Sequence, residues 1–154
     1  YRFLLENRKP FYQQVGREKV DRRLGNLYAG VLSSVVWGRD TKITEGDIRE
    51  IENVIRTLKI DDKERLLAYV RMANAYKEKN TDELLKLCKK EFPRFSDPDV
   101  MMIVMPVSVY FRSQEDKAAL KEFIQIGKTI VPSLKMQDNI NYVTNYFDEL
   151  EKQM

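Results

Sequence analysis

The sequence contains no histidine. That absence removes Ser-His and Cys-His nucleophile pairs, imidazole metal sites and the usual general base near neutral pH. Its one cysteine, Cys88, can form neither an internal disulfide, nor a Cys-x-x-Cys redox pair, nor a thiolate zinc site. No apolar run nears the roughly 20 residues of a membrane span. The longest, Val100 to Met105, soon meets Pro106 and Ser108. Charge of one sign is also scarce. The formal net charge is +3, and the eight Lys or Arg of residues 1–40 stand against four acids, far short of a nucleic-acid-binding footprint. The chain opens on Tyr1 rather than Met, with no basic-then-apolar leader, so Tyr1 reads as a processed or excised end. Together these absences predict no metal, no cofactor and no catalysis by this segment.

What is present points to helices. The 154 residues are 43% apolar and 33% charged, a mixture suited to amphipathic helices around one core. Tyr1 to Asn7 reads as the end of a helix. Pro10 suits the first turn of a short helix carrying Phe11 and Val15, and Gly16 its stop. From Arg17 to Trp37, Val20, Leu24, Leu27, Tyr28, Val31, Leu32 and Val35 recur at the period of one helix face. Gly25 and Gly30 interrupt that helix at about 1 kcal/mol each relative to Ala. Close approach of a neighbouring helix would offset the cost and place this segment at the centre of the fold.

After a loop at Gly38 to Lys42, Thr44 with Asp47 forms a capping-box pattern, followed by a stripe of Ile48, Ile51, Val54, Ile55 and Leu58. Asp61 with Glu64 predicts the next start, with Leu67, Val70, Ala73 and Tyr76 on its face, and Asn80 or Thr81 caps Leu84 to Phe92. Ser96-Asp97-Pro98-Asp99 is a further helix start. The apolar run from Val100 to Phe111 fits either a buried strand or a buried helix kinked at Pro106. The helix is preferred because its cap is strong and no partner strand is evident. Ser113 with Asp116 opens a helix through Ile130, Pro132 breaks it, and Asn139 to Met154 closes the chain.

Short turns make consecutive helices antiparallel, so the expected fold is all-α: a stack of antiparallel helical hairpins. Tyr69, Ala73 and Tyr76 followed by Leu84, Leu85 and Phe92 echo a tetratricopeptide repeat. The pitch is uneven, with 17 residues from Thr44 to Asp61, 20 from Asp61 to Thr81 and 15 from Thr81 to Ser96. The expectation is therefore an irregular, tetratricopeptide-like stack. Residues 1–16 read as a linker helix and turn from an upstream domain, and 17–154 as one helical domain.

Tyr69, Tyr76 and Tyr110 are candidates for a groove that holds a protein partner, since tyrosine combines contact area with a hydroxyl. The plainer expectation is that they pack between helices. Met101, Met102 and Met105 could form an adaptable pocket or simply fill a buried helix. Cys88 beside Lys89 and Lys90 could be a reactive thiol, or a small buried hydrophobe. Arg17, Lys19, Arg22 and Arg23 could meet an acidic partner, yet Glu18 and Asp21 interleave with them, which fits a solvated face with i,i+4 pairs. The acids Asp47, Asp61, Asp62, Asp97 and Asp99 are explained by helix starts.

The opening Tyr1-Arg2-Phe3-Leu4-Leu5-Glu6-Asn7-Arg8-Lys9, with Phe11, Gly16 and Val20, is similar to a recurring junction in bacterial multidomain thioredoxin-like proteins, especially of the Bacteroidetes, where a thioredoxin domain is followed by a helical region of this length. The resemblance implies a thiol-disulfide protein exported to the periplasm. Its redox Cys-x-x-Cys pair would lie upstream of Tyr1, and no residue present here would be catalytic. Two functions are thus expected. One is a non-catalytic interaction domain that docks the upstream thioredoxin-like domain or a client protein. The alternative is a small-molecule sensor, such as the ligand-binding half of a transcriptional regulator, with the Met-, Tyr- and Phe-rich stretch from Val100 to Phe111 bordering an apolar cavity.

Overall fold

The computed structural model describes residues 6–39 and 42–154. The helix end expected at Tyr1 to Asn7 lies largely outside them, as do two residues of the loop expected at Gly38 to Lys42. The described residues are all-α, without strands. Among the described residues, eight helices have eight residues or more: α1 Arg8–Val15, α2 Arg17–Val36, α3 Glu45–Thr57, α4 Lys63–Lys77, α5 Thr81–Glu91, α6 Met105–Ser113, α7 Lys117–Lys128 and α8 Gln137–Lys152. None among the described residues is long and apolar enough to cross a membrane.

Local chemistry sets most boundaries. At α3 the capping box forms in full: the Asp47 amide donates to Thr44 Oγ1 at 3.1 Å and the Thr44 amide to Asp47 Oδ2 at 2.8 Å. Asn80, rather than Thr81, caps α5 by accepting from the Glu83 amide at 3.1 Å. Two expected starts shift. Asp61 does not cap α4, which begins at Lys63 after a turn through Asp61 and Asp62. Ser113 does not open α7 but ends α6, its hydroxyl donating to the Tyr110 carbonyl at 2.7 Å. The cap of α7 is Asp116, which accepts from the Ala119 amide at 2.9 Å.

The run from Val100 to Phe111 is helical throughout. A helical turn at Asp97–Asp99 leads into a π-helical stretch, Val100–Val104, and then α6. The wider π turns lie directly ahead of Pro106, whose ring has no N–H and crowds the carbonyl four residues back. Widening there relieves the crowding while the Met105 amide still reaches the Val100 carbonyl.

Helices α2 and α4 pack on each other at the centre of the fold, and α2 also touches α1, α3 and α6. Leu66, Leu67, Ala68, Tyr69, Val70, Met72, Ala73 and Ala75 are all buried, so α4 is covered on most of its circumference, by α2, α3 and α5. Gly25 of α2 faces this contact: a Cβ there would meet Leu66 Cδ1 at 3.1 Å and Ile60 Cδ1 at 3.3 Å. Helix α2 also meets α6, and α7 packs on α5, α6 and α8. The C-terminal half is bound by a chain of rings. Phe111 stacks on Phe123 at 4.5 Å, and Phe123 also touches Phe92 and Phe147. Each such pair contributes about 0.5–1.5 kcal/mol beyond its buried area. Asp97 accepts from the Met136 amide and Asn139 Nδ2, while Ser108 meets the Tyr146 hydroxyl at 2.8 Å. The segment from Asp97 through α6 therefore runs in the same direction as α8.

Candidate interaction surface

A carboxylate out of water persists only where donors or cations compensate its charge, or where it serves chemistry. Asp21 is 0% exposed. It accepts from the Tyr12 hydroxyl at 2.7 Å, Arg17 Nε at 3.4 Å and the Lys59 amide at 2.8 Å. One acid thus ties α1, α2 and the α3–α4 turn together. Burial, then the Asp21 carboxylate, raises the Tyr12 phenol above its ordinary range.

Asp99, also 0% exposed, accepts from the Tyr69 hydroxyl, Arg65 Nη1 at 3.0 Å and the Ser96 amide at 2.7 Å. Burial pushes the Tyr69 phenol well up, with the Asp99 charge and hydrogen bond adding to it. Burial disfavours the Arg65 cation, but the hydrogen bonds to Asp62 and Asp99 outweigh it and raise its pKa. Glu91 is answered by Arg71 at 3.1 Å and Lys90 at 3.7 Å. Each of these acids holds helices or turns together, and each is paired with at least one cation. No group of three or more acids or cysteines among the described residues could hold a metal ion.

The tyrosines predicted as partner-binding do not form one surface. Tyr69 is 0% exposed, its ring edge against Phe95, and offers a partner nothing to touch. Tyr76 and Tyr110 do come together, edge to face at 5.4 Å, and the Tyr110 hydroxyl bonds Thr81 Oγ1 at 2.9 Å. Tyr110 is itself buried and Tyr76 half-buried. The three methionines are divided: Met101 is exposed, Met102 half-buried and Met105 buried. Cys88 is wholly buried, and burial pushes its thiol pKa well up, away from the reactive thiolate.

What lies open is a surface that periodicity assigned to the core. Helices α1 and α2 form a hairpin about Gly16, whose φ of +86° only glycine adopts without strain. Between them runs a groove of about 1010 Å³. Val20 and Leu24 form its floor, and Phe11, Val15 and Leu27 its walls. Val15 is 50% exposed and Leu27 43%, so neither joins the core as its place in the apolar pattern suggested. Lys19 and Arg23, one turn apart on α2, edge the groove. Gly30 continues the same outward face. Beyond the backbone of its own helix, no described atom lies within 4 Å of where its Cβ would stand, so the close approach expected at both glycines is present at Gly25 alone.

No family model matches the chain, and no curated protein or solved structure matches it significantly.

Beside the groove, a polar cleft of about 920 Å³ is lined by Arg17, Glu18, Arg22, Lys59, Asp61 and Asp62 among others. Arg17 is held by Asp21, Arg22 by Glu18 at 2.7 Å, and Asp62 by Arg65. Most of its charge is satisfied within the chain. The apolar groove is the better binding surface, because its exposed apolar area is free to gain from contact, at roughly 25 cal/mol per Å² removed from water.

Proposed function

We propose that this chain is a helical interaction domain, not itself an enzyme, which docks another polypeptide in the groove between α1 and α2. The observation that carries the reading is the half-exposed Val15 and Leu27 on a body whose buried carboxylates are all engaged in holding helices together. In the context suggested by the opening segment, the parent is a periplasmic thioredoxin-like protein, and the docked polypeptide is its redox domain or a client. The body is read as an irregular, tetratricopeptide-like stack. A sensor would need space beside Val100 to Phe111, but Val100, Ile103, Val104, Val107 and Phe111 are at most 1% exposed. That stretch is occupied by its own side chains.

The test is a binding titration of the purified domain against a thioredoxin-fold domain and against a reduced, unfolded protein. A variant combining Val15→Glu and Leu27→Glu serves as control. Binding that the double substitution removes, with the fold intact by circular dichroism, is the expected result. Failure to bind either probe sinks the reading.

A further inference from the structure

We propose that the groove takes an amphipathic helix with acidic flanks, lying lengthwise on α2 and approaching it most closely at Gly30. This rests on the interaction-domain reading and names the partner's chemistry.

Charge sets the sign. Arg17 and Arg22, on the neighbouring side of α2, are matched by Asp21 and Glu18. Lys19 and Arg23 make no ion pair or hydrogen bond among the described residues, and both are exposed on the groove edge. Two unmatched cations one turn apart are placed to meet two carboxylates one turn apart on a facing helix. They are too few for a nucleic-acid backbone, which asks for a longer basic track.

Gly30 gives the geometry. Glycine is the poorest helix former after proline, and it is tolerated inside a helix where something must come close. Nothing among the described residues comes close to Gly30. On the wheel it follows Arg23 by two turns and precedes Ser34 by one, so the outward face ends in two small side chains. From Lys19 to Ser34 that face extends about 22 Å, the length of a four-turn helix. Apolar side chains of the occupant would fill the space between Val15 and Leu27, its acids would reach Lys19 and Arg23, and its backbone would pass over Gly30.

The experiment uses the whole chain and two fluorescein-labelled peptides of about 18 residues. Both carry the same leucine stripe at three- and four-residue spacing. One is flanked by glutamate, the other by lysine. Fluorescence anisotropy should show the glutamate peptide binding about tenfold more tightly, with the preference fading at high salt. Lys19→Glu with Arg23→Glu should reverse the preference. Gly30→Leu should weaken the glutamate peptide at least about tenfold while the thermal midpoint holds or rises, which separates a blocked groove from a damaged fold.

Equal affinity for the two peptides, binding of neither, or indifference to Gly30→Leu overturns the proposal. So does a homodimer in sedimentation that Gly30→Leu dissociates, since a second copy would then be the occupant. A thioredoxin-fold or unfolded probe that binds regardless of the Lys19, Arg23 and Gly30 substitutions would keep the interaction-domain reading and reject this one. Loss of every probe would reject both.

Discussion

Replacing Gly30 and Gly127 by alanine should move stability in opposite directions. In both helices alanine gains about 1 kcal/mol of helix propensity over glycine, part of it by restricting the unfolded chain. At Gly30 the added Cβ meets no described atom within 4 Å beyond the backbone of its own helix. The gain should survive as about 0.4–1 kcal/mol, or roughly 1–4 °C in thermal midpoint for a chain of this size. At Gly127 the Cβ would stand 2.2 Å from Phe147 Cζ, 2.4 Å from Cε1 and 2.7 Å from Cε2. The Phe147 ring is 0% exposed and packed against Phe123 and Tyr146, so it has to be displaced by more than about 1 Å to restore van der Waals contact. Overpacking of this kind costs about 1–3 kcal/mol, occasionally more. With a bulky, trapped ring as the obstacle the upper end applies, leaving Gly127→Ala about 2 kcal/mol less stable. Urea unfolding followed by far-UV circular dichroism measures both. The two variants should differ by about 2–3 kcal/mol with unchanged dependence on denaturant. A destabilised Gly30→Ala, or a neutral Gly127→Ala, would refute the reasoning that assigns one glycine to an open face and the other to a ring contact.

Two further outcomes can be checked on the same material. Asp97 accepts from Asn139 and from the Lys135 and Met136 amides, and these hydrogen bonds lower its pKa to about 2. Its unfolded value is about 3.9. A depressed acid contributes stability above the unfolded pKa and loses it as pH falls through the folded one, so the midpoint gap between the parent and Asp97→Asn should be level above about pH 5 and narrow between about pH 4 and 2. A gap independent of pH would contradict this. Cys88 should resist a thiol reagent such as iodoacetamide in native buffer and react only as urea unfolds the chain; rapid stoichiometric labelling of the folded protein would show that its burial is misread.

Features whose cause is local were legible in the sequence. Thr44 with Asp47, Asn80 and the Ser96–Asp99 turn each mark a helix start because a short polar side chain reaches an amide three residues away. The same logic misplaces two starts: Asp61 lies in the turn ahead of α4, which begins at Lys63, and Ser113 turns back onto α6 while Asp116 caps α7. Asp21 and Asp99 could not have been assigned from spacing. Asp21 accepts from the Lys59 amide, 38 residues on, and Asp99 from Tyr69, 30 residues before it. Nothing in the neighbourhood of either residue announces such a partner. Spacing alone therefore makes Tyr69 a contact candidate, whereas its hydroxyl is engaged in the interior.

The groove was hidden for a different reason. A period of 3.6 identifies an apolar arc but not where the arc stops being covered. On α2, Val20, Leu24, Tyr28, Leu32 and Val35 are at most 5% exposed, whereas Leu27, at the shoulder of the same arc, is 43% exposed. The two glycines make the division sharper. Gly25 and Gly30 are five positions apart, about 140° around the helix, so they cannot face the same neighbour. Gly25 faces Leu66 and Ile60 across the contact with α4, and Gly30 faces outward beside Leu27 and Arg23. A helix with close-approach residues on two sides but only one side filled by the described chain is half of two interfaces. One is the α2–α4 packing that holds the fold. The other, if Gly30→Leu blocks an acidic helix without harming the fold, is the surface through which the domain works.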